Sequence, residues 1–258
     1  MIRATTLMTA LVLSVVKPAT ADEAPTAAAQ QYQALVDEFE EEGGARTFAK
    51  RFLALADVHP QDPAAVSSLL WVAENVRGRT ETTRALKLLQ SRHIDSKQLG
   101  SALKTVARSR SPAAEKVLRM AMEKSPHEEI KARACYFLAQ LLEAEASVMN
   151  QLQASPELAP RVLQYYGKDY GKHLASLKPK VVEKRTAAVY KTMLASFAAV
   201  KFDDVTLGKI AKDALFRLRH LSVGRVAPDI KGEDTAGKPF KLSEYRGKVV
   251  MLVFWGNW

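Results

Sequence analysis

The chain has 258 residues, 47% hydrophobic and 26% charged, with 38 Lys and Arg against 28 Asp and Glu for a formal charge of +10. That is room for one large or two modest domains and an ordinary balance for a folded soluble protein. The basic residues are scattered along predicted helix faces and no RNA- or DNA-binding motif is present, so the excess reads as solvated surface rather than a nucleic-acid or membrane patch.

Residues Met1 to Ala21 have the layout of a secretory signal: Arg3 in a short basic start, an apolar stretch from Leu7 to Val16, and Ala19-Thr20-Ala21 as a small-residue cleavage site. The apolar stretch is too short for a stable membrane span. Export to the periplasm or cell envelope is the expectation. No cysteine follows the cleavage site, which argues against a lipoprotein, and the single cysteine, Cys135, excludes an internal disulfide scaffold.

From Thr26 to Leu221 the pattern is helical. Thr26 is placed to cap a helix running to Glu42, with Tyr32, Leu35, Val36 and Phe39 on one stripe and Gly43-Gly44 ending it. The acidic run Glu40-Glu41-Glu42 reads as a solvated end, not a metal site. Ala45 to Val58 repeats the pattern through Phe48, Phe52, Leu55 and Ala56, and His59-Pro60 stops it. Asp62-Pro63 starts a third helix, closing near Gly78, in which Trp71 reads as packing rather than a ligand groove.

Thr80 to Gln90 gives a fourth helix, and Asp95 to Arg108 a fifth whose Asp95 and Gln98 have capping-box spacing. Ser111-Pro112 opens a sixth, and Ser125-Pro126-His127-Glu128 a seventh through a capping box. The seventh turns Ile130, Ala134, Phe137, Leu138, Leu141 and Leu142 to one face, with Cys135 beside them as a buried, inert thiol. Ser155 to Pro179 is the least regular stretch. Its lysines and Tyr165, Tyr166 and Tyr170 superficially resemble a single-strand stacking surface, a weak reading for an exported chain. Pro179 to Phe202 and Thr206 to Leu221 are the last two helices, and Gly224 marks a boundary.

The tail changes character. Asp229 to Gly232 and Pro239 to Leu242 are short extended pieces around turn residues Asp234 to Lys238, predicting a hairpin. Ser243 to Gly247 is then a helical turn or loop. Val249 to Trp258 is uncharged and rich in β-branched and aromatic side chains, the composition of a strand covered on both faces.

The residues V-G-x-x-A-P-D-I from Val223, D-x-x-G-K-x-F-x-L-S-x-Y-R-G-K-V-V from Asp234, and V-F-W-x-x-W ending at Trp258 resemble the start of a thioredoxin-fold redoxin. They are most similar to the exported thiol-disulfide oxidoreductases of the TlpA and ResA type, grouped with the AhpC/TSA redoxins. The resemblance covers the last 35 or so residues. It implies disulfide exchange with protein thiols at a Cys-x-x-Cys following the tryptophan that matches Trp258, with Trp255 and Trp258 flanking the redox site and Tyr245 and Arg246 placing the loop before the strand. The sequence stops at Trp258, so this polypeptide is expected to be inactive, because exchange needs a low-pKa thiolate and a resolving sulfur.

The helices resemble tetratricopeptide-like repeats in texture but lack the W-x-x-L-G-x-x-Y signature. The fold expected is mainly α: a TPR-like helical-hairpin array over 22–222, then over 223–258 the N-terminal hairpin and first central strand of an incomplete thioredoxin-like α/β domain.

No catalytic, cofactor-binding or metal-binding residue is assigned. The five histidines, His59, His93, His127, His173 and His220, have no metal-ligand spacing, and there is no G-x-S-x-G or phosphate-cradling glycine loop, so no cofactor is expected. Two alternatives stand beside disulfide exchange: a non-catalytic helical module for a protein partner, and a peroxiredoxin-like antioxidant. The second ranks lower because F-W-x-x-W resembles the tryptophan before Cys-x-x-Cys more than a peroxidatic loop.

Overall fold

The computed structural model describes residues 24–76, 80–109, 111–222 and 224–253, apart from the side chain of Tyr166. The predicted leader, the closure near Gly78, Val223 and the residues Phe254, Trp255 and Trp258 lie outside these. Among the described residues the chain is mainly α, with eleven α-helices and two short β-hairpins.

Local signals set the first helices. The Thr26 hydroxyl accepts the Ala29 N–H at 3.0 Å to open α1 (Ala27–Glu42). The chain then reverses through Gly43 and Gly44, whose φ values of 71° and 81° suit glycine, into α2 (Ala45–Val58). Asp62 accepts the Ala64 N–H at 2.8 Å and Pro63 takes the first position of α3 (Pro63–Asn75). The aromatic rings of these helices interlock: Phe52 stacks on Trp71 at 4.1 Å, and Phe39 meets Trp71 edge-on at 4.8 Å. Trp71 is thus core.

Next come α4 (Thr80–Arg92), α5 (Leu99–Arg108), α6 (Ala114–Lys124) and the long α7 (Glu128–Ala154). Three predicted starts differ. Asp95 and Gln98 form no capping box, because the Ser96 hydroxyl takes the Gln98 N–H at 3.2 Å and the chain turns once more before Leu99. The Ser111 hydroxyl accepts from Ala113 at 3.3 Å and delays α6 to Ala114. At α7 the Ser125 hydroxyl takes the His127 N–H at 3.3 Å, while Glu128 pairs with Lys131 at 2.6 Å instead of reaching back.

The irregular stretch holds two short helices, α8 (Ala159–Tyr166) and α9 (Lys168–Ser176), broken at Gly167 with φ 86°. Then α10 (Pro179–Ser196) ends six residues before the predicted Phe202. A small hairpin intervenes, β1 (Lys201–Phe202) on β2 (Val205–Thr206), before α11 (Leu207–His220), whose first turn is capped by the Thr206 hydroxyl.

Helix packs on helix from α1 to α4, and α7 gathers α5, α6 and α10 around it, with α11 on α10. The fully buried side chains, among them Phe52, Leu86, Leu103, Leu118, Leu138, Leu142, Tyr190, Met193 and Leu207, run through this array as one core. Among the described residues the last buried one is Ala214. Beyond it lie β3 (Lys231–Glu233), β4 (Pro239–Lys241) and a 3-10 turn (Leu242–Tyr245).

Candidate functional site

The tail is the stretch whose sequence points to chemistry, and hydrogen bonds to two aspartates shape it. β3 and β4 pair antiparallel, with Gly232 opposite Phe240. A Cβ at Gly232 would stand 3.2 Å from the Phe240 ring, so glycine is what lets the ring lie across the strand. In the turn, one Asp234 carboxylate oxygen accepts the N–H groups of Ala236 and Lys238, each at 2.9 Å. Gly237 supplies the left-handed residue, φ 78°.

Asp229 closes the unit. Its carboxylate accepts the Ser243 backbone N–H at 2.8 Å and the Ser243 hydroxyl at 3.0 Å, while the Leu242 N–H bonds Ile230 O at 2.8 Å. The Ser243 backbone N–H is the largest influence on the Asp229 carboxyl and, with the Ser243 hydroxyl and the charges of Lys241 and Lys231, outweighs desolvation to hold it below the ordinary aspartate range. This clasp ties the segment before the hairpin to the turn after it. The A-P-D-I and L-S spacings are its signature in the sequence.

The turn ends with Lys248 N–H on Tyr245 O at 3.1 Å and Gly247 at φ 84°. Tyr245 and Arg246 are both exposed. After it Val249 to Val253 has no regular secondary structure and, although its composition is that of a covered strand, it is not covered. Val249, Met251 and Val253 are largely exposed, and the run pairs with no strand among the described residues. A two-sided strand needs neighbours on both edges, and the helices offer none.

The other residues singled out by sequence are dispersed. Cys135 is fully buried on α7, its thiol donating to Val189 O at 3.6 Å, and burial pushes its pKa up to about 12. A thiol so held is not a nucleophile at neutral pH. Tyr165 is exposed while Tyr170 is buried, so they do not make one stacking face. No group of three or more His, Cys, Asp or Glu gathers in metal-binding geometry among the described residues.

One buried polar pair escaped the sequence reading. Glu145 of α7, almost fully buried, meets His173 of α9 at 2.9 Å, and its second oxygen has no partner. This pair docks α9 on α7. Twenty-eight positions separate the residues and nothing in either segment announces the contact.

Comparison with known proteins bears on the tail. Residues 223–258 match the AhpC/TSA family. Over 38 residues the chain is 47% identical to the thiol-disulfide oxidoreductase ResA of Geobacillus thermodenitrificans and, over 38, 50% identical to that of Geobacillus kaustophilus. The match covers 15% of this chain and 22% of each relative, so the chain spans about a fifth of the length of the curated relatives it matches. No solved structure matches the chain. The segment that matches is the one that carries the hairpin and its Asp229 clasp, so it is this stretch of the chain that is similar to the thioredoxin-like redoxins.

Proposed function

We propose that the chain is the leading part of an exported thiol-disulfide oxidoreductase: residues 1–21 a secretory signal, 22–222 a helical unit of hairpin repeats, and 223–258 the start of a redoxin unit. The whole protein would act on protein thiols and disulfides in the periplasm or cell envelope. The observation that carries this reading is the Asp229–Ser243 clasp and its hairpin, formed by the residues that match the redoxins. A polypeptide of these 258 residues is proposed to be inactive, since its one thiol is buried and protonated whereas exchange proceeds through an accessible thiolate.

Insulin reduction tests the second statement: turnover should equal that of Cys135→Ala, and turnover above that control overturns it. Reading the transcript past the Trp258 codon tests the first. A Cys-x-x-Cys next in frame supports it, and a stop codon favours the second reading, a helical module for a protein partner. That reading rests on one observation, a groove of about 580 Å³ between α2 and α4 lined by Lys50, Leu53, Asp57 and Arg84. Recovery of a chain beginning after Ala21 in the envelope fraction would support export, and an intact Met1 in the cytosol would overturn it.

A further inference from the structure

The whole net charge of this protein lies in its last hundred residues. Residues 1–158 hold 19 basic and 19 acidic side chains, whereas residues 159–258 hold 19 and 9. The fold then concentrates part of that excess. Helices α10 and α11 pack side by side, joined by the hairpin β1–β2, and between them runs a groove lined by Leu194, Ala198, Lys209 and Lys212.

On α11 the exposed residues Lys212, Phe216 and Arg219 fall at i, i+4 and i+7, one face. On α10 the exposed Lys184, Ala188 and Lys191 do the same, and Lys191 continues the row of Leu194 and Ala198 that lines the groove. Of the acids nearby, Asp213 is engaged by Lys209 at 2.8 Å and Glu183 by Arg225 at 2.6 Å, while the exposed Asp203 and Asp204 sit apart at the tip of the β1–β2 hairpin. Apolar side chains stand among the cations: Phe216 is 50% exposed, and Leu221 and Val226 just beyond it are 58% and 77% exposed.

We propose that the joined solvent faces of α10 and α11 form a docking surface for an anionic phospholipid bilayer. Each Lys or Arg held near such a surface strengthens binding about fivefold, and a half-exposed aromatic with aliphatic neighbours can enter the headgroup layer while the amines stay at the phosphates. The aliphatic members favour lipid over nucleic acid, whose bases would need stacking partners. No helix among the described residues is long and apolar enough to cross a membrane, so the attachment is peripheral. It holds whether or not the redox reading does.

Co-sedimentation of the full chain with phosphatidylglycerol-containing vesicles, against phosphatidylcholine alone, tests this. Binding should favour the anionic vesicles by at least about tenfold and weaken as salt rises from about 0.05 to 0.3 M. Reversing Lys184, Lys191, Lys212 and Arg219 to Glu should remove it, and the single exposed substitutions Lys191→Glu and Phe216→Ser, made with helicity monitored, should each weaken it several-fold. Equal binding to neutral vesicles, or unchanged binding by these variants, overturns the proposal. So does tighter binding to single-stranded DNA or polyglutamate than to the anionic vesicles. Loss of vesicle binding in Val250→Asp with Leu252→Asp, and not in the α10 and α11 variants, would overturn it by assigning the contact to the tail.

Discussion

The helical region and the tail keep their shapes by different means. Among the described residues of the helical region one core cluster draws on side chains from Phe48 to Ala214, and the loops are fixed because the helices they join are packed. In residues 224–253 no residue is buried. There the hairpin stands on hydrogen bonds around Asp229 and Asp234, and a hairpin in water without a covered face is marginal. The contrast shows that a local sequence signature can write a recognisable shape well before any core exists to stabilise it.

The largest test of this contrast pairs two substitutions. Phe52→Ala, which removes a ring stacked on Trp71, should cost about 3–5 kcal/mol in urea unfolding followed by helical circular dichroism. Leu252→Ala, in the exposed run, should leave the same midpoint in place, and a loss there would show that the tail packs on the helices.

A smaller effect concerns Glu115, which receives the guanidinium groups of Arg119, at 2.7 Å, and Arg185. Burial pushes its carboxyl up, but the two arginines outweigh this and hold it below the ordinary glutamate range. Glu115→Ala should cost about 1–3 kcal/mol at neutral pH. Because the folded pKa is depressed, that contribution is full above the ordinary glutamate value and is lost as pH falls through the lowered one, so variant and parent should converge in acid. An unchanged difference there would contradict the ion-pair account.

The smallest global effect is expected at Asp229. Asp229→Ala should speed amide hydrogen exchange at Leu242 and Ser243 while leaving α7 amides and the unfolding midpoint unchanged. Acid should do the same to the parent protein: the clasp is at full strength above the ordinary aspartate pKa and opens as pH falls through the lowered value. Slow exchange at Ser243 in the variant would place the hairpin's order elsewhere.

What was legible in the sequence follows the same division. Thr26, Gly43-Gly44, Asp62-Pro63 and the Asp234–Lys238 turn act within a few residues, and each does in the fold what its chemistry predicts. The starts predicted at Asp95 and Ser125 differ because a serine hydroxyl, that of Ser96 in the first and of Ser125 itself in the second, takes an N–H two residues on instead of the one a capping box uses. The hairpin after α10 was hidden because Phe197 to Phe202 continues an apolar helical pattern. Only the left-handed Asp203, φ 53°, reverses it, a conformation that aspartate tolerates better than most residues. The Glu145–His173 pair and the α10–α11 surface join residues far apart along the chain, which no window of sequence brings together. For Val249 to Val253 composition spoke of burial, but burial belongs to neighbours and not to the run itself.

The place of Cys135 has a practical consequence for redox experiments on this protein. With its one cysteine thiol buried on α7, an oxidant cannot staple two intact copies together. Covalent dimers on a non-reducing gel therefore count the molecules that have come open, and a thiol-reactive dye added in the same minutes would time that opening.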